Sequence, residues 1–422
     1  MRLQHVCLSQ PLPFNFRSHI SIWHPGYIRG EDTMFSLPCL DEVGPEDVAD
    51  DEVVDGNRKV GLAQAGYGVH FGTMLLACQV ITGNSFDTAY LSYDRKGNNK
   101  VRMNARGILT HDHYFLHVPQ SKRNFVSSLI PVPSASGSFI CLPSSRAGDR
   151  DTTPYAVTPN FENWRFPEAL PSSWHSIAIT PRDSKPSCII SGRMATEKAH
   201  VIPQSQDKWY TNNAMSDYSQ GAESVHNSVD NMIRLRADPS RILHDCAFAL
   251  VPKSDTNGRE RIVVHFFSTT NGAGDAAFWH HNQKVHNLAS VAPQFLFARF
   301  ALTVFARIKD LILRGECRQI AVVLGGIDSS GSPAWVTREV EMDRAQRLSR
   351  YGPLTSHKRA RPQCCESQQD DDQKSPEGVR MFGYGLGEPE DYTSRTRAWL
   401  GADETRSISE FSSDGSLDLR YC

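Results

Sequence analysis

From Gln294 to Arg314 the large apolar residues recur at helical spacing: Phe297, Phe300, Ala301, Val304, Phe305, Ile308, Leu311 and Ile312. A stripe of that width has to cover a core. It predicts one long buried helix that Gly315 ends. Upstream, Cys246-Ala-Phe-Ala-Leu-Val-Pro-Lys253 and Arg261-Ile-Val-Val-His-Phe-Phe267 read as two strands. The turn signal from Asp255 to Arg259 makes them a candidate hairpin. Nearer the N-terminus, His70 to Ile81 predicts a buried helix, and Tyr114 to Val118 a strand stopped by Pro119. Helices and strands in this mixed order predict an α+β fold.

The length of 422 residues suggests more than one folded unit. Residues 1–16 read as a polar, proline-punctuated leader. Residues 17–180 read as a mixed N-terminal domain and 181–330 as a second domain. The acidic stretch from Asp41 to Asp55 reads as a solvated loop. Residues 131–160, rich in Ser, Pro and Gly, read as an irregular connection, followed by the aromatic anchor Asn163-Trp-Arg-Phe-Pro167. Order is expected to fade after Gly325, and 331–422 read as a largely disordered tail. The polar run Gln363 to Glu377 could bury too little apolar surface to offset the entropy of ordering. Arg397-Ala-Trp-Leu400 is a candidate short binding element within that tail.

Charge narrows the function classes. With 45 basic and 47 acidic side chains the net charge is −2, which excludes a general basic coat for nucleic acid. Any nucleic-acid contact has to be local. The 10 cysteines are scattered and form no Cys-x-x-Cys pair, which argues against a zinc ribbon or a dense disulfide framework. An intracellular, reduced protein is expected, in nucleus or cytoplasm. The N-terminus has no apolar segment of signal-peptide type, and no apolar run approaches the roughly 18 residues of a membrane span.

Three ordered pieces carry the chemistry. The first is Cys188-Ile-Ile-Ser-Gly192, the second Ala199-His-Val-Ile-Pro203, the third Asp230-Asn-Met-Ile-Arg-Leu-Arg-Ala-Asp238. A strand ending in Val251-Pro-Lys253 follows. In this order the pieces resemble the HNH endonuclease superfamily, in its Ala-His-[Ile/Val]-[Ile/Val]-Pro form. His24-Pro-Gly-Tyr27, Ala77 to Asn84 and Asn163 to Pro167 resemble the region that precedes this domain in fungal proteins, so the likeness covers the larger part of the chain.

The resemblance implies a ββα-metal core, two strands and a helix around one divalent ion and one general base. Magnesium fits first, with zinc or manganese as alternatives, and the partner is nucleic acid, DNA foremost. His200 would take a proton from water, and the metal would neutralise charge on the phosphate and leaving oxygen. Asn231 would bond backbone across the loop and orient His200. One member of the pattern is missing. The position nine residues after Asn231, where the resemblance expects a histidine, is Ser240. His244, one helical turn further on, and Asp245 are the candidate replacements on the metal side. The alternative is a catalytically degenerate HNH domain acting as a nucleic-acid or protein interaction module.

Between Pro181 and Lys253 nine basic residues face eight acidic ones, a net charge of +1. Arg234, Arg236 and Arg241 are the local basic cluster and the candidate phosphate contacts. Cys188 lacks a partner cysteine, so packing is its expected role. The His280-His281 pair and His286 match no strong metal template and read as a solvated loop. The preceding Gly272-Ala-Gly274 lacks the third glycine and the lysine of a phosphate cradle.

Overall fold

The computed structural model describes residues 19–44, 66–119, 154–175, 187–219, 228–254, 259–270, 272–286, 288, 291–327 and 333–352. The leader, most of the 131–160 connection, most of the 255–259 turn and the chain beyond 352, including Arg397 to Leu400, lie outside the described residues. The described residues are a mixture of helices and several small sheets, as the α+β expectation requires. Among the described residues, no helix is long and apolar enough to cross a membrane.

Strands β1 (His19–Trp23) and β2 (Thr33–Pro38) pair antiparallel. Next come the two-residue strand β3 (Asp41–Glu42), then β4 (Tyr67–His70) and helix α1 (Phe71–Ile81). Strands β5 (Tyr90–Ser92), β6 (Ile108–Leu109) and β7 (His113–His117) complete two sheets, ordered β2-β1-β7-β5 and β3-β4-β6. In the second sheet Asp41 pairs with Gly68. A Cβ at Gly68 would meet the Leu109 carbonyl oxygen at 2.1 Å, so only glycine lets these strands approach. Helix α1 is buried along nearly its whole length. His70 caps it, its Nδ1 accepting the Thr73 N–H at 3.1 Å.

Helix α2 (Ser172–His175) carries the buried Trp174. It is followed by β8 (Glu197–His200), α3 (Asp207–Asn212), β9 (Met232–Leu235) and α4 (Ala237–His244). Strands β10 (Phe248–Ser254) and β11 (Glu260–Phe266) form the hairpin that the apolar runs predict. Helix α5 (Ala273–His280) leads to the apolar stripe, which forms two helices rather than one, α6 (Pro293–Phe305) and α7 (Lys309–Leu313). At the break the Arg307 N–H bonds the Val304 carbonyl three residues back, a tighter turn that re-aims the chain while keeping Ile308 buried. Gly315, at φ 73°, follows α7 in the left-handed conformation of a helix end.

The core is continuous across the boundary drawn near residue 180. Trp164 stacks on Trp209 with centroids 5.6 Å apart, and Trp174 meets Phe297 of α6 edge-on at 5.2 Å. The aromatic anchor Asn163 to Pro167 therefore joins the two segments.

The expectation of lost order beyond residue 330 is corrected for 333–352. Strands β12 (Cys317–Ile327) and β13 (Pro333–Asp343) pair residue for residue, from Cys317 opposite Asp343 to Ile327 opposite Pro333. Helix α8 (Arg344–Tyr351) then starts on a reciprocal cap between Asp343 and Gln346. Much of this ordering comes from the backbone ladder and from one cation. Arg347 is fully buried and donates to the carbonyls of Ile312, Arg314, Gly315 and Met342, among others. Backbone acceptors leave no apolar signature in a sequence.

Candidate functional site

β8 and β9 form a two-stranded antiparallel ladder in which Glu197 faces Leu235 and His200 faces Met232. α4 starts two residues after β9 and packs on both strands. Its eight residues span about 12 Å and each four-residue strand about 13 Å. A helix that folds back over the ladder thus brings its C-terminal end level with His200. The turn Cys188 to Gly192 closes on itself, Gly192 N–H to Cys188 carbonyl at 2.8 Å, and lies beside β9 through Ile189 N–H to Arg234 carbonyl at 3.0 Å. Cys188 is buried within this turn as a free thiol.

His200 ends β8 half-buried. Asn231 is fully buried and clamps the loop that follows His200. The Ile202 N–H donates to Asn231 Oδ1 at 2.8 Å, and Asn231 Nδ2 donates to the Ile202 carbonyl at 3.1 Å. The Val201 N–H adds a bond of 2.9 Å to the Asn231 carbonyl. A side-chain amide carries a donor and an acceptor side by side, so one asparagine holds both backbone groups of Ile202.

Ser240 is buried, and its carbonyl accepts from His244 Nδ1 at 3.1 Å. A carbonyl cannot donate, so Nδ1 carries a proton, and in the neutral ring Nε2 of the exposed His244 keeps a lone pair. That is the tautomer a metal-binding imidazole needs. Asp245, also exposed, caps α4 and lines a small cavity with Ser268, Thr270 and Arg307. His200, His244 and Asp245 do not bring three donor atoms within ligand distance of one another. The donor set suits at most a weakly held, largely hydrated divalent ion, as magnesium sites often are. Arg234 and Arg241 are exposed; Arg236 pairs with Asp238 at 3.1 Å on the surface.

Among the described residues, a convergent Asp/His/His group exists elsewhere, at Asp41, His265 and His281. This corrects two readings. Asp41 is a buried strand residue rather than part of a solvated loop, and the side chain of His281, in a half-buried residue, is turned inward with 6% exposure rather than solvated. Asp41 Oδ1 accepts from Lys253 Nζ at 2.5 Å, Asn282 Nδ2 at 2.9 Å and His281 Nε2 at 3.1 Å, while Oδ2 accepts the His70 N–H at 2.7 Å. His281 Nδ1 accepts the Phe266 N–H at 3.2 Å, which places the ring proton on Nε2, toward Asp41.

The cluster does not fit a metal ion. The Lys253 ammonium already neutralises the carboxylate, and His281 has no lone pair left to donate. Burial alone would raise the Asp41 carboxyl, but Lys253 and His281 outweigh it and hold the group well below the usual range. Burial, then Lys253, pushes His70 down to about 3 and His265 well below its ordinary value. No pattern in the sequence links positions 41, 253, 265 and 281, so sequence reasoning missed this group.

Comparison with family models, curated proteins and solved structures gives no match. The likeness to HNH nucleases rests on the quoted residues alone.

Proposed function

We propose that the chain is a metal-dependent endonuclease of the HNH class, hydrolysing phosphodiester bonds of nucleic acid at the β8–β9–α4 unit. The observation that carries this reading is the double clamp of Asn231 on Ile202, two residues beyond a half-buried histidine at a strand end. His200 accepts a proton from water. The water oxygen bonds to phosphorus and the leaving oxygen departs with the electron pair. Bound divalent metal, magnesium foremost, supplies charge neutralisation at the phosphate. His244 Nε2, with Asp245 nearby, is the candidate holder, and Arg234, Arg236 and Arg241 are the candidate phosphate contacts.

A second reading is a degenerate HNH domain that binds nucleic acid or protein without cutting. Ser240, buried where the third histidine is expected, favours it. Nicking of supercoiled plasmid in magnesium separates the two. The nuclease reading expects cleavage by the wild type that EDTA and His200→Ala both abolish. Equal or absent cleavage in wild type and variant supports the binding module.

A further inference from the structure

Helix α6 buries one guanidinium in an otherwise apolar stretch. Arg299 stands between the fully buried Ala298 and Phe300 and is itself 4% exposed. A buried ion costs several kcal/mol unless its partners compensate, so the partners state why the residue is there. Nη1 donates to the Val201 carbonyl at 3.4 Å, and Nη2 donates to the Leu243 carbonyl. Val201 directly follows His200, and Leu243 directly precedes His244. Two turns along, Arg307 Nη2 donates to the Cys246 carbonyl at 3.2 Å. Arg299 on α6 and Arg307, two residues past its end, thus gather carbonyls at the negative end of α4, and Arg299 also reaches the loop after β8.

We infer that Arg299 is a positioning residue of the His200–His244 site, setting the separation between the end of β8 and the end of α4. This rests on the nuclease reading of that site. The two terminal nitrogens belong to one rigid plane, so the two carbonyls they hold are fixed relative to each other. A lysine ammonium at this position keeps the charge but presents a single point, and it cannot fix both. Asn231 holds the loop from one side and Arg299 ties the same loop to α4 from the other. The two histidines are thereby referenced to one scaffold through the residues next to them.

The test uses the full-length chain with Arg299→Lys, and Arg299→Gln as a second variant should the first fold poorly. Thermal unfolding establishes that the variant is folded. Two readouts then follow: cleavage kinetics in magnesium, and imidazole resonances by histidine-selective 1H–15N NMR. The expected result is a kcat lowered on the order of tenfold to a hundredfold with KM unchanged. The His200 and His244 resonances shift together, while those of His70 and His281 stay in place. Unchanged His200 and His244 resonances overturn the proposal, as does an equal shift of all four, which marks a global structural role. A wild type that cleaves nothing defeats the nuclease reading alone, and the resonances still decide whether Arg299 sets this geometry.

Discussion

His265 and His200 make an instructive pair. His265 lies next to the end of β11, 1% exposed, with neither ring nitrogen hydrogen-bonded among the described residues. It faces a carboxylate, Asp41, whose acceptor positions are filled by Lys253, His281, Asn282 and the His70 N–H. His200 sits at a strand end, half-buried, beside a loop clamped by Asn231. The more convergent cluster of donors is therefore the less suited to chemistry. Its charges cancel internally and solvent is shut out, so it ties β3 to β10 and α5's end. The looser group keeps an imidazole that water can reach. Convergence alone does not identify a reactive site; access to water matters as well.

Acid should break this contrast hardest. His70, His265 and His281 all have pKa values lowered by burial, the ordinary value being 6.5. A base with a depressed folded pKa contributes stability that is present above 6.5 and lost as pH falls below it. Asp41, depressed as a carboxylate, adds a loss at lower pH in the same direction. Each imidazole contributes up to about 1.4 kcal/mol per pH unit, so urea unfolding should show a loss of several kcal/mol between pH 6.5 and 5. A flat profile over that range would mean these rings are solvated.

Next in size is Asp41→Ala, which leaves the Lys253 ammonium buried without its carboxylate. It should cost about 3–5 kcal/mol in chemical denaturation. The double variant Asp41→Ala/Lys253→Met should recover much of that, because the unpaired charge is gone. A double variant no better than the single one contradicts the ion-pair account. On the other side of the comparison, Asn231→Ala removes two buried bonds to Ile202 and should cost about 1–3 kcal/mol. A wild-type stability there would mean that the loop after His200 is held by other contacts.

Several elements were legible because their apolar residues run together. Helix α1, the β10–β11 hairpin and strand β7 are buried along most of their length, and the helical stripe repeats its large apolar residues at helical spacing. The break between α6 and α7 was not, since Ala306 and Arg307 interrupt the helix without a proline or glycine. Strand β13 was hidden because the side chains from Val336 to Asp343 are largely exposed and its order comes from backbone pairing and Arg347. At the candidate site, the motif order picked out His200 at the end of β8, Asn231 just before β9, and Ser240 and His244 on α4. It gave no sign of Arg299, whose partners are carbonyls that every residue has. Asp41 and Lys253 are 212 positions apart, and only the fold brings them together.

On the proposed nuclease reading, the reacting group is the half-buried imidazole of position 200 and not the buried cluster. The direct measurement is the rate of magnesium-dependent DNA cleavage by wild type and His200→Ala, with thermal unfolding of both. The expected result is a loss of about a hundredfold or more in rate, with the melting temperature little changed because the side chain is partly solvated. Cleavage by His200→Ala at the wild-type rate would contradict it.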